Sequence, residues 1–133
     1  MAASPYASKL AAYSNASAHG GVAAADPHKL VVMLMDGALE KITTARGCLS
    51  RGEIADKARL LNRAVSIIGE LRGSLDMAKG GVIANNLGEL YDYMCRRLLM
   101  ASSENRAELL DEVSTLMHEI RGAWLAIDPK AQR

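Results

Sequence analysis

Asn85-Asn86-Leu87-Gly88-Glu89-Leu90-Tyr91-Asp92-Tyr93-Met94-Cys95-Arg96-Arg97-Leu98-Leu99-Met100-Ala101 contains no proline and only an isolated glycine, so it reads as helix. At about 100° per residue, Leu87, Leu90, Tyr91, Met94, Cys95, Leu98 and Leu99 share one side. That apolar arc covers roughly half the wheel, wider than the narrow seam between two helices. Surplus apolar surface on a helix implies either deep burial or a second helix to be bound. Two of the four tyrosines sit here, in a chain without phenylalanine.

Working outward, three more segments carry the same period. Asp26-Pro27 opens the first: the aspartate can cap free backbone N–H groups, and proline fits the first helical position, which needs no donor. From Leu30 to Leu49 the apolar residues again spread over roughly 200°, which makes this segment a companion wall to 85–101. Gly37 in its middle is read as a point where another backbone comes close, or as a tolerated glycine. Gly52 separates this helix from a second, Glu53–Leu75, whose stripe Ile54, Ala58, Leu61, Val65, Ile68 and Leu75 steps by threes and fours. Lys79-Gly80-Gly81 allows a reversal, Val82–Ala101 is the third helix, Ser102–Asn105 a turn, and Arg106–Ile127 the fourth helix.

Four helices of about 20 residues with short connections predict an all-α, antiparallel up-down four-helix bundle over residues 26–128. No stretch alternates with period two, which argues against a sheet. The first 25 residues, rich in Ala, Ser and Gly, form an N-terminal arm. The arm reads two ways: a mobile tail, or a short helical segment that docks through Tyr6, Leu10 and Tyr13, which recur on one helix face. Residues 129–133 are expected to be a loose tail.

Composition narrows the function. At 133 residues the chain fits one domain, and 16 basic against 15 acidic residues leave a net charge of +1 with no basic run, so no nucleic-acid partner is indicated. No run of 18 apolar residues predicts membrane insertion, and no signal-peptide pattern opens the chain, so a cytoplasmic location is expected. Cys48 and Cys95 lack metal-ligand spacing and read as buried thiols rather than a disulfide.

No catalytic constellation, metal site or cofactor loop emerges. His118-Glu119 resembles the start of a zinc-protease motif, but position 122 is Gly, where the second ligand would stand. His118-Glu119-Ile120-Arg121-Gly122-Ala123 is similar to the His-x-x-Lys-Gly motif of histidine phosphotransfer bundles, although Arg replaces Lys and Trp124 crowds the site. An ordinary surface histidine is the simpler reading.

Several blocks resemble the FliS family of flagellar secretion chaperones: Val22-x-x-Ala25-x-Pro27-x-x-Leu30, Met33-Leu34-Met35-Asp36-Gly37-Ala38, Ile68-x-Glu70-Leu71-x-x-x-Leu75-Asp76, and Asn86-Leu87-x-x-Leu90-Tyr91-Asp92-Tyr93-Met94-x-x-Arg97-Leu98, with Trp124 near the end. Met35 departs from the aromatic usual before Asp-Gly, and Ser102 from the usual Asn. The resemblance implies a non-enzymatic cytoplasmic bundle that binds the C-terminal segment of flagellin, prevents early polymerisation and presents it to the flagellar export apparatus. It also implies that the arm can occupy part of the guest's surface. The partner-binding residues expected from it are Leu30, Leu34, Met35, Asp36, Leu39, Leu87, Leu90, Tyr91, Tyr93 and Met94. Two alternatives stand beside this reading: phosphotransfer through His118, and a regulatory bundle binding another flagellar protein. Exposed grooves could also pair two copies in a weak homodimer.

Overall fold

Asp26 and Pro27 start the first helix as their chemistry dictates. The Asp26 carboxylate accepts the Lys29 backbone N–H at 3.1 Å, and Pro27 takes the first helical position. The computed structural model describes residues 26–75 and 77–127, the first three of the second span by backbone alone. The arm with Tyr6, Leu10 and Tyr13 and the 129–133 tail lie outside the described residues. Within them every regular element is a helix: α1 Pro27–Ser50, α2 Ile54–Gly73, α3 Met77–Glu104 and α4 Ala107–Ala126.

Two helix ends close in the same way. Gly52, at φ +75°, lets the Glu53 N–H reach back to the Cys48 carbonyl at 2.8 Å and terminates α1. Asn105, at φ +54°, repeats the turn after α3, with the Arg106 N–H on the Ala101 carbonyl at 3.1 Å. This cap carries α3 through Glu104, past the turn expected at Ser102–Asn105.

The start of α3 also differs from the sequence expectation. The reversal falls just after α2, and a helical turn from Met77 precedes the expected start at Val82. Gly81, at φ 54° and ψ −126°, bends the helix there. Only glycine adopts that conformation cheaply. A Cβ on the neighbouring Gly80 would lie 2.5 Å from the Ala84 Cβ, so the bend needs both glycines.

The helices stand at the corners of a square. α2 and α4 each pack on both α1 and α3, whereas α1 and α3 are diagonal and their backbones do not approach one another. Cross-helix bonds give the register: Arg46 to Asp111 and Arg121 to Asp36 join α1 to α4, while Lys57 to Ser102 and Arg72 to Asp92 join α2 to α3. In each pair one number rises as the other falls, so these neighbours are antiparallel. The ion pairs are exposed, so solvent screening leaves each only a small contribution. Stability comes instead from a core that includes Met35, Ile42, Ile68, Met94, Leu98 and Met117, each at most 1% exposed.

A helix with two neighbours must bury a wide arc. On α1, Leu34, Met35, Ala38, Leu39, Ile42, Ala45 and Cys48 are all buried, which takes up roughly half the circumference. The width read from the sequence therefore reflects the square packing. Of the two readings of Gly37, the tolerated glycine holds: a Cβ there would meet only the Ile67 side chain, at an ordinary 3.6 Å, so no backbone approach requires glycine. Cys48 and Cys95 are both free thiols, and burial pushes both up in pKa, away from the reactive thiolate.

Candidate partner-binding surface

The expected binding residues separate by exposure. Leu34, Met35 and Leu39 of α1 and Tyr91 and Met94 of α3 are core residues. Leu30 is half-buried, and Leu87 is partly buried against the core. Asp36 is exposed and accepts the Arg121 guanidinium at 2.6 Å, so it serves the α1–α4 seam. Leu90 stands at the surface, 36% exposed. The diagonal placement of α1 and α3 corrects the expectation that they form companion walls: α2 and α4 lie between them.

The opening stretch thus divides by angle. Tyr91, Met94 and Leu98 form the buried centre of its arc, while Leu90 and Leu99, 36% and 49% exposed, emerge at opposite edges roughly 180° apart. The Leu90 edge turns toward α4. Midway along that seam the Tyr93 hydroxyl donates to Glu112 Oε2 at 2.5 Å, and Arg97 Nε donates to the other carboxylate oxygen at 2.8 Å. The Arg97 guanidinium also lies over the Tyr93 ring, 5.5 Å from its centroid. These bonds hold the Glu112 carboxyl below its ordinary range, the Tyr93 hydroxyl being the larger cause, and the same bond raises the phenol.

Beyond this lock, toward the start of α3 and the end of α4, the seam becomes apolar. On α3 the line through Tyr93 and Leu90 continues past the exposed Asn86 to Ile83, which is 72% exposed, beside Val82 at 75%. On α4 the stripe that carries Glu112 continues through Leu116 and Ile120 to Ile127. Leu116 and Ile120 are partly buried against the core, and Ile127 is 53% exposed. Leu87 lies on the inner side of the same strip. The result is an apolar strip at the end of the bundle where residue 26 enters.

A clasp closes the neighbouring corner. His28 and Trp124 stack with ring centroids 4.7 Å apart and planes 11° from parallel. Trp124 Nε1 donates to the His28 carbonyl at 3.0 Å, and His28 Nε2 lies 2.6 Å from the Trp124 carbonyl, so that nitrogen carries a proton. At the opposite end Lys57, 2% exposed, sets its ammonium 2.5 Å from the Ser102 carbonyl in the last turn of α3. A cation suits that helix end, and its carbonyl otherwise lacks an intrahelical donor. Sequence reasoning missed the lock, the clasp and this lysine. The only signal was Lys57 on the apolar stripe side of its helix, three residues before Leu60.

His118 is exposed on α4. Among the described residues no cluster of His, Cys, Asp or Glu could hold a metal ion, and no helix is long and apolar enough to cross a membrane.

A family model described as "Flagellar protein FliS" matches residues 9–131, nearly the whole chain. The chain belongs to the FliS family. It is 45% identical over 126 residues to a flagellar secretion chaperone FliS of Salmonella typhimurium, covering 94% of this chain and 93% of that one. It is 44% identical over 112 residues to the flagellar secretion chaperone FliSB of Pseudomonas aeruginosa, covering 84% and 89%. A FliS chaperone of Vibrio cholerae is 40% identical over 121 residues, covering 91% and 89%. In this FliS bundle the block Leu87–Leu98 both builds the core and lines the strip, which joins the family resemblance to the exposed surface.

Proposed function

We propose that this FliS-family chain is a cytoplasmic export chaperone without catalytic activity. It captures the C-terminal segment of flagellin as an amphipathic helix, keeps it from polymerising and presents it to the flagellar export apparatus. The observation that carries the reading is the apolar strip of Ile83, Leu87 and Leu90 on α3 with Leu116, Ile120 and Ile127 on α4, exposed at Ile83, Leu90 and Ile127. Helix-in-groove recognition needs such a strip, with anchors spaced to meet one face of the guest. Leu87 and Leu90 are the anchors kept from the expected set, and Leu30 borders the same end. Leu34, Met35, Leu39, Tyr91 and Met94 support the strip from within, Tyr93 fixes its boundary, and Asp36 acts through the α1–α4 seam.

In the absence of the guest, the arm's Tyr6, Leu10 and Tyr13 cover part of the strip, since the arm enters at Asp26 on this end. Two copies can also pair weakly through the same exposed surface. Calorimetric titration of the chain with full-length flagellin and with flagellin lacking its C-terminal segment tests the reading. Binding of the full chain alone supports it; equal affinity for the truncated form refutes it.

A further inference from the structure

Tyr91 is a core residue that carries a hydroxyl. The residue is 2% exposed and packs in the main cluster. Its hydroxyl makes no hydrogen bond among the described residues, in contrast to Tyr93, whose hydroxyl holds Glu112. Yet among the described residues no fully enclosed side-chain oxygen or nitrogen lacks a partner. The Tyr91 oxygen is therefore the part of the side chain that touches the surface. Long side chains on a helix lean toward the helix N-terminus. For α3 that is the end holding Leu87, Ile83 and the apolar strip.

Buried phenols normally find a partner within the fold; this one reaches only solvent. Phenylalanine would fill the same buried space without a polar tip, and the chain contains none. Burial pushes the phenol up to about 12, so it stays a donor across the physiological range. A donor with a buried ring and a tip that reaches the surface, one helical turn from Leu87 at the inner side of the strip, is placed for an acceptor that arrives with a guest.

We infer that the Tyr91 hydroxyl is a specificity-determining donor of the binding strip, giving its hydrogen bond to an acceptor oxygen on the flagellin segment. A backbone carbonyl or a side-chain amide oxygen fills that role, since a carbonyl has a second lone pair even inside a helix. The assignment rests on the flagellin reading above and adds the polar contact that registers the guest helix along an otherwise apolar surface. An apolar strip alone tolerates sliding by a turn; one fixed donor does not.

The paired variants Tyr91→Phe and Tyr93→Phe test it, with thermal unfolding followed by circular dichroism and affinity for a synthetic flagellin C-terminal segment measured by calorimetry. Tyr91→Phe should keep or raise the unfolding temperature and weaken binding by about 3- to 10-fold, the loss of one neutral hydrogen bond. Tyr93→Phe should do the reverse, lowering the unfolding temperature through the lost bond to Glu112 with a smaller effect on affinity. Unchanged affinity in Tyr91→Phe overturns the assignment while leaving flagellin binding intact, as does a lower unfolding temperature with unchanged affinity. Failure of the unmodified chain to bind the segment overturns the flagellin reading and this assignment together.

Discussion

Replacing Leu90 and Leu34 separately by glutamate distinguishes a binding residue from a core residue on otherwise similar leucines. Leu90 is 36% exposed, so about two-thirds of its side chain contributes to folding. Full burial of a leucine is worth about 1.5–3 kcal/mol, and Leu90→Glu should therefore cost about 1–2 kcal/mol of stability. That fits within the roughly 5–15 kcal/mol of a typical domain, so the variant stays folded. Leu34 is 9% exposed. Leu34→Glu loses the whole transfer energy and also buries a carboxyl, whose pKa can rise by about 3–5 units, so that it takes up a proton at neutral pH at a cost of about 3.5 kcal/mol. The sum, about 5–7 kcal/mol, is within the range of a typical domain's entire stability.

On the binding side, a carboxylate in the middle of the strip removes an apolar contact and must be desolvated against an apolar guest face. A penalty of about 2–4 kcal/mol corresponds to roughly 30- to 1,000-fold weaker affinity. Far-ultraviolet circular dichroism with thermal melting reads folding, and calorimetry with the flagellin segment reads binding. The expected pattern is a folded, non-binding Leu90→Glu and an unfolded Leu34→Glu. A Leu90→Glu variant that binds like the unmodified chain, or that melts as completely as Leu34→Glu, would refute the assignment of Leu90 to the surface.

Three further outcomes follow from the seams, the bend and a glycine inside α2. Glu112 and Asp111 are held below their ordinary ranges, Glu112 by the Tyr93 hydroxyl and then Arg97, and Asp111 by Arg46. Because the folded values lie below the unfolded ones, these groups stabilise the bundle at neutral pH, and that contribution is lost as pH falls below the ordinary glutamate value of 4.5. Melting temperature measured against pH should therefore drop in acid, and Glu112→Gln should flatten that drop; an unchanged slope would count against the lock. Gly81 sits at φ 54° and ψ −126° with open space around a Cβ, so Gly81→Ala should cost about 1–3 kcal/mol through backbone strain alone. Gly69, inside α2 with nothing within 4 Å, should behave oppositely, Gly69→Ala adding about 0.5–1 kcal/mol in denaturant titrations.

The four helices were legible because each carries its own evidence: a 3.6-residue apolar period and punctuation such as Asp26-Pro27 and Gly52. The ends of α3 were less so. Gly80-Gly81 reads as a stop, but a glycine in an unusual backbone conformation can bend a chain that remains helical on both sides. Asn105 did the work of a C-terminal glycine, and Lys57 met a carbonyl 45 residues away that no local pattern reveals. The binding surface was the least legible part. Periodicity reports which side of a helix is apolar, not whether a neighbour covers it, and a corner helix in a square bundle buries about as wide an arc as a helix that also binds a guest. Met35 and Leu90 therefore looked equivalent in sequence, and only the placement of the neighbouring helices separates them. Tyr91 and Tyr93, two residues apart, took unrelated roles because successive helical positions are about 100° apart.

Hydrogen–deuterium exchange, with and without the flagellin C-terminal segment, tests most directly where the guest binds. Added protection should concentrate on residues 82–90 of α3 and 116–127 of α4. The ion-paired opposite end, around Arg51–Lys57 and Ser102–Asp111, should exchange as before. Protection confined to that opposite end, or to the outer face of α1, would contradict docking on the α3–α4 strip.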